Sequence, residues 1–145
     1  LWLGKQSYVD ASRIGIWGWS FGGFNTLMSM SEGRGVFKAG VAVAPPTNWR
    51  YYDTIYTERY MRTPKENGSG YATNPIQRAN ALHGALLICH GMADDNVQPQ
   101  NTMEYIDRQI RILRRTSIPT EIMVSMVATR VSTYYARFPT GLLSI

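Results

Sequence analysis

The chain has 145 residues, 44% hydrophobic and 17% charged, with a formal net charge of +5. That length supports one ordinary domain with a real core, and the apolar share excludes a disordered chain. One cysteine and two histidines exclude a disulfide scaffold and are a poor ligand set for structural zinc, so no metal is expected. No apolar run is long enough to span a bilayer and no charged-then-apolar leader is present. Any leader is expected before Leu1, so the compartment stays open.

Strand-like and helix-like stretches alternate along the chain. Arg13–Trp19 is a short run rich in Ile and Trp. Phe24, Leu27 and Met28 recur at helical spacing between Phe21 and Met30. Ala39–Ala44 is a continuous apolar run stopped by Pro45 and Pro46. Tyr51–Met61 reads as an aromatic-rich helix, and Thr63–Thr73 as a polar loop. Pro75 can open a short helix reaching Leu82. Ala85–Cys89 is a third strand, Pro99–Arg114 a long helix, and Thr120–Val127 a candidate fourth strand. Strands that are apolar throughout and alternate with helices predict an α/β fold: a parallel sheet with helices on both faces.

The basic residues Arg108, Arg111, Arg114 and Arg115 follow Glu104 and Asp107 on the predicted long helix. They are not interleaved with aromatics, as a single-strand-binding groove requires. They read as a solvated helix face, and no nucleic-acid partner is expected.

Gly18-Trp19-Ser20-Phe21-Gly22-Gly23 lies between a predicted strand and a predicted helix. This is the G-x-S-x-G nucleophile elbow in the setting it needs. A very sharp strand-to-helix turn presents the serine hydroxyl at the carboxyl edge of the sheet. Glycines two before and two after the serine remove side chains that would collide. Ser20 is the candidate nucleophile, and the Phe21 N–H is a candidate oxyanion donor at the helix N-terminus. A Gly-rich turn that happens to hold a serine is the plainer alternative.

A serine nucleophile needs a base and an orienting acid, in the chain order Ser, acid, His for this kind of fold. The loop His90-Gly91-Met92-Ala93-Asp94-Asp95-Asn96-Val97 follows the third strand. Asp94 is the candidate acid and Asp95 its reserve, against the alternative of an Asp-rich turn capping the next helix.

Three segments together carry a family resemblance. Arg13-Ile14-Gly15-Ile16-Trp17-Gly18-Trp19-Ser20-Phe21-Gly22-Gly23 resembles the nucleophile segment of the prolyl oligopeptidase family, in its dipeptidyl peptidase IV branch. Trp49-Arg50-Tyr51-Tyr52-Asp53-Thr54-Ile55-Tyr56-Thr57-Glu58-Arg59-Tyr60-Met61 is similar to that branch's substrate-pocket segment. The acid loop above resembles its counterpart. The resemblance implies an α/β-hydrolase fold, here partial, and a serine peptidase releasing N-terminal dipeptides with Pro or Ala penultimate. It implies Ser20 as nucleophile, Asp94 as acid and the Phe21 N–H as one oxyanion donor. Trp49, Tyr52, Tyr56 and Val97 would line the proline pocket, and Asn96 would bond a substrate carbonyl. A flat aromatic box suits a pyrrolidine ring; an aromatic helix face buried in the core is the alternative reading. No cofactor is implied. The parent enzyme would carry an N-terminal β-propeller, dimerise in many members, and be periplasmic, secreted or membrane-anchored. The propeller, its acidic amine-binding residues and a second oxyanion tyrosine lie upstream in the family.

The triad histidine is missing. His83 and His90 both precede Asp94; His90 occupies a position that is structural in the family, and His83 reads as a loop or helix-end residue. Glu121 to Val131 stands where the family has a segment like R-N-H-G-I-Y-G-G-N-T-R. Codons made from the last base of one residue and the first two of the next permit N-H-G-I-Y-G-G-N-T-R at the ten successive junctions from Glu121/Ile122 to Arg130/Val131. The expectation is a reading-frame slip between about Ile110 and Thr116. Residues 1–116 are then a fragment of the catalytic domain. Residues 117–145 are an out-of-frame, poorly ordered tail, and the Thr120–Val127 strand loses its support. Without the His, the chain alone is expected to be inactive. A carboxylesterase or acylaminoacyl peptidase on the same elbow, and a non-catalytic peptide-binding pseudo-hydrolase, are the rival readings.

Overall fold

The computed structural model describes residues 2–115 and 121–127. Its centre is a parallel four-stranded sheet in the order β1-β2-β3-β4, formed by Gly15–Trp19, Ala39–Val43, Ala85–Gly91 and Ile122–Val127. Each strand pairs with its sequence neighbour, so every connection is a crossover. Helices α1 (Phe21–Met30), α2 (Thr54–Met61), α3 (Gly68–Ala72), α4 (Pro75–Arg78) and α5 (Gln100–Leu113) lie between or after them.

Helix starts follow side-chain chemistry. Asp53, Asn67 and Asn74 each accept a hydrogen bond from a first-turn N–H of α2, α3 and α4, and Pro75 opens α4 where no N–H is needed. The cap at Asp53 explains why the expected Tyr51–Met61 helix is split. A 3-10 turn at Trp49–Tyr51 precedes α2, and Tyr52 lies between them in extended backbone. The Asn67 cap likewise nucleates α3 inside the stretch expected to be loop. The helix expected from Pro75 ends at Arg78 and continues as a 3-10 turn over Ala79–Ala81.

The sheet register shows which side holds the core. Gly18, Ala42 and Ile88 are aligned neighbours and all buried. Ala42 and Ile88, with Leu86, meet Leu27 and Met30 of α1, Ala79, Leu82, and Tyr105 of α5 in one cluster. Burying an aliphatic side chain such as Leu27 or Ile88 contributes roughly 1.5–3 kcal/mol. On the adjacent row the exposure reverses. Trp17 is 70% exposed, Val41 and Leu87 are half-buried, and Met123 is 69% exposed. The helices around the core, α1, α4 and α5, share one face. The expected parallel sheet with helices is thus present, with α1, α4 and α5 packed on the buried row.

Arg108, Arg111, Arg114 and Arg115 are exposed, with Arg111 paired to Asp107 at 2.8 Å. The Ile122–Val127 segment is in place as β4, pairing residue by residue with Leu86–Gly91. This corrects the expectation that the strand is lost. The ladder is made by backbone groups, and a run of Ile, Met and Val satisfies it whatever frame encoded it. Residues 116–120 and 128–145, the rest of the predicted tail, lie outside the described residues.

Candidate active site

Ser20 joins β1 to α1 with φ 54° and ψ −117°, a conformation that costs a non-glycine residue of order 1–3 kcal/mol. Hydrogen bonds hold it there: its N–H donates to Val43 O at 2.8 Å, and its carbonyl accepts from Phe24 N–H at 3.1 Å. Its side chain makes no capping bond to α1, which leaves the half-buried hydroxyl available. The Phe21 N–H belongs to the first turn of α1, where no intrahelical acceptor exists.

The glycines divide the steric work differently from the sequence expectation. A Cβ on Gly18 would fall inside the Gly22 peptide, so glycine is obligatory there. A Cβ on Gly22 would meet nothing within 4 Å; that glycine is not what lets the turn close. Gly23 is the second tight point, where a Cβ would lie 3.0 Å from Pro45 Cβ and 3.1 Å from Val43 O.

Asp94 lies on the loop after β3, at the same carboxyl edge as Ser20. Its Oδ1 accepts from the backbone N–H groups of Asn96 (3.1 Å) and Val97 (3.0 Å). Its Oδ2 stands 3.7 Å from His90 Nε2, outside hydrogen-bond range. His90 is fully buried, with Nε2 at 2.8 Å from Val97 O and Nδ1 at 2.6 Å from Thr102 Oγ1. The carbonyl fixes the tautomer: Nε2–H donates to Val97, and Nδ1 accepts the Thr102 hydroxyl proton. Burial pushes its pKa down. With both nitrogens committed, His90 is no base for Ser20. It anchors Val97, whose own N–H holds Asp94. His83 sits at the opposite edge, just before β3, where its backbone N–H donates to Met30 O at 3.1 Å. The reserve candidate, Asp95, is exposed.

The β2 exit and α2 bring the predicted pocket residues to the same edge. Trp49 is 94% buried, and its ring centroid lies 5.6 Å from Phe21, 4.9 Å from Phe24, 6.0 Å from Tyr52 and 6.2 Å from Tyr56. Tyr52 and Tyr56 meet edge to face at 5.5 Å, and Tyr60 follows Tyr56 at 5.0 Å. These separations suit tilted and edge-to-face aromatic contact. Val97 is buried, and the Tyr52 hydroxyl reaches Asn96 Oδ1 at 2.8 Å, tying the aromatic segment to the acid loop. Sequence reading missed Phe24 as part of this cluster. Its spacing of three from Phe21, one helical turn, was the available signal.

Two shallow depressions lie elsewhere, one lined by Asp107, Ile110, Arg111, Arg114 and Arg115, the other by residues around Gly33 and His83. Both are at the amino edge of the sheet, away from Ser20. Among the described residues, no three His, Cys, Asp or Glu side chains are grouped to hold a metal, and no helix is long and apolar enough to cross a membrane.

The exit of β4 completes the geometry. Met92 N–H donates to Val127 O at 2.7 Å, so the chain leaves β4 beside the acid loop. A base supplied after β4 would enter the site there, but residues 128–145 contain no histidine.

Residues 1–129 match the model of the prolyl oligopeptidase family. The chain belongs to that family. Prolyl oligopeptidase family relatives include a probable dipeptidyl-aminopeptidase B of Podospora anserina, 54% identical over 111 residues, which are 74% of this chain and 12% of the relative. One from Pyrenophora tritici-repentis is 53% identical over the same shares. Among solved structures, dipeptidyl peptidase 4 of Porphyromonas gingivalis superposes with a TM-score of 0.81 at 50% identity, over 92% of this chain and 18% of that one. A putative dipeptidyl aminopeptidase IV of Bacteroides ovatus gives 0.77 at 38% identity, over 90% and 19%. The fold is that of the α/β-hydrolase catalytic domain of these proteins. The chain spans 12% of the length of the curated relatives it matches.

Proposed function

We propose that this chain is part of the catalytic domain of a serine-type dipeptidyl aminopeptidase. The observation that carries the reading is the strained Ser20 at a strand-to-helix turn, with the Asp94 carboxylate held at the same sheet edge. In the whole protein, Ser20 Oγ attacks the scissile carbonyl and a histidine takes its proton, while Asp94 holds that histidine's tautomer. The oxyanion is met by the Phe21 N–H. The carbon–nitrogen bond then breaks, the amine leaves with the histidine's proton, and water hydrolyses the acyl-serine to release the dipeptide. Trp49, Tyr52, Tyr56 and Val97 form an apolar wall for a small or pyrrolidine side chain, and Asn96 bonds a substrate carbonyl. This chain has no histidine after Asp94, so alone it is expected to show no turnover above that of a triad lacking its base, several orders of magnitude below the intact machinery.

The reading extends to the encoding sequence: a frame slip near residues 110–116 removed the catalytic histidine. Sequencing the nucleotides across residues 110–131 tests this, and a shifted frame without that histidine ends the idea. The activity is tested by comparing a Gly-Pro anilide with a simple ester on this chain and on a frame-restored one, with fluorophosphonate labelling of Ser20. Labelling and Gly-Pro release after frame restoration support the peptidase. Ester hydrolysis alone favours a carboxylesterase, and labelling of neither chain favours a peptide-binding pseudo-hydrolase.

A further inference from the structure

The Tyr52 hydroxyl sits 2.8 Å from Asn96 Oδ1, across 44 residues of sequence. A side-chain amide has two unlike ends, and whichever end is engaged decides what the other presents. Asn96 is exposed, and its backbone N–H is already given to Asp94 Oδ1. Its side chain is therefore the part of this loop position left to face a ligand. Tyr52 keeps its proton at any ordinary pH, because burial first and the Asp53 charge second push its phenol pKa up. The phenol thus has a proton to donate to Oδ1.

We infer that Tyr52 is a positioning residue: by donating to Asn96 Oδ1 it turns the amide so that the Nδ2 hydrogens face the ligand, making Asn96 a donor for a carbonyl oxygen. In the opposite orientation Asn96 would offer an acceptor and reject the same carbonyl. Tyr52 therefore does two separable things. Its ring, edge-on to Tyr56 and Trp49, forms apolar wall; its hydroxyl sets the polarity of Asn96. The inference rests on the peptide-binding reading given above.

The test uses the whole protein that carries this chain and measures binding, not turnover. The probes are alanyl-pyrrolidide and its neutral alkene isostere, in which a C–H stands where the carbonyl oxygen was. Tyr52→Phe keeps the ring and removes the hydroxyl; Asn96→Ala removes the amide. In the wild type the carbonyl ligand is expected to bind more tightly than the isostere. Tyr52→Phe is expected to weaken the carbonyl ligand by about tenfold, the worth of one well-placed hydrogen bond, and to leave the isostere unchanged. In the Asn96→Ala background, Tyr52→Phe should cost nothing further, since the amide it orients is gone. Equal weakening of both ligands by Tyr52→Phe, or the same loss with and without Asn96, overturns the positioning role while leaving the peptide-binding reading intact. If the folded wild type binds neither probe, the underlying reading fails and takes the inference with it.

Discussion

The elbow at Gly18–Gly23 and the loop at His90–Val97 each bring one candidate catalytic side chain to the same sheet edge, by opposite physical means. The elbow works by sterics. It holds Ser20 at φ 54°, keeps that residue's hydroxyl out of the helix cap, and closes because Gly18 has no Cβ. The loop works by saturation. His90 spends both ring nitrogens and Asp94 Oδ1 accepts two backbone N–H groups, leaving Oδ2 outside hydrogen-bond range of the buried imidazole. The contrast teaches that the Ser20 hydroxyl, the proposed nucleophile, is kept available by withholding bonds, and the Asp94 carboxylate, the proposed acid, is kept oriented by supplying them. Substitutions should therefore fail in different ways at the two places.

The largest effect is expected at Gly18. In Gly18→Ala the new methyl group would occupy the space of the Gly22 peptide, and that neighbour is backbone that cannot rotate away. A loss of more than about 4 kcal/mol, or no folded protein, is expected from urea unfolding, at the severe end of single substitutions. A midpoint within about 1 kcal/mol of wild type would show that the turn is looser than described.

The loop breaks by a smaller amount and through a different quantity. His90→Leu leaves the buried Thr102 hydroxyl and the Val97 carbonyl without their imidazole partner. A cost of about 2–4 kcal/mol is expected from two such groups. The same imidazole gives a pH dependence. Its folded pKa lies below the ordinary 6.5 because burial disfavours the charged form. Above pH 6.5 both states are neutral and the full stability is present. As pH falls from there toward the folded value, the unfolded chain binds a proton that the folded chain does not, and stability is lost. Urea midpoints measured between neutral and mildly acidic pH should fall more steeply in the wild type than in His90→Gln, which has no proton to take up. Parallel curves would remove His90 from the acid response.

The same contrast explains how much was legible in the sequence. The elbow was readable because its mechanism is local: glycines around a serine, strand before, helix after. Even there, spacing assigned the collisions to Gly18 and Gly22, whereas the structure keeps the first, at Gly18 against the Gly22 peptide, and moves the second to Gly23, where Pro45 and Val43 approach from β2 and its exit. The acid loop was readable only as a candidate, since what holds Asp94 depends on His90 reaching Thr102 on α5. The Asn96–Tyr52 bond joins residues 44 apart and carries no periodic signal. The strands were found by their apolar runs, but the two sheet faces could not be told apart. Trp17 and Ile88 are both apolar, and only packing shows that one is 70% exposed and the other fully buried. The Thr120–Val127 strand was expected to be lost, and β4 forms nonetheless, because its Ile, Met and Val residues suit a strand and its backbone pairs with β3.

A gentler probe of the elbow is relief of its strain. Ser20→Gly removes the Cβ that makes φ 54° costly, at the expense of a more flexible unfolded chain. A net stabilisation of about 1 kcal/mol is expected, whereas Ser20→Ala keeps the strain and should stay near wild type. Neither variant would be labelled by a fluorophosphonate, even in a frame-restored chain. Equal stability of the glycine and alanine variants would mean that the positive φ is held at no cost.

The smallest expected change separates the two glycines that the motif treats alike. Gly22 lies in the first turn of α1, and a methyl group there would meet nothing within 4 Å. Alanine also prefers helix over glycine, by up to about 1 kcal/mol in a helix interior and less near an end. Gly22→Ala should therefore shift the urea midpoint by no more than about 0.5 kcal/mol, in the stabilising direction. Its severe counterpart, Gly18→Ala, lies on the other side of the same contact. If Gly22→Ala instead costs several kcal/mol, the elbow needs space at both glycines, and the assignment of its steric demand to Gly18 and Gly23 is wrong.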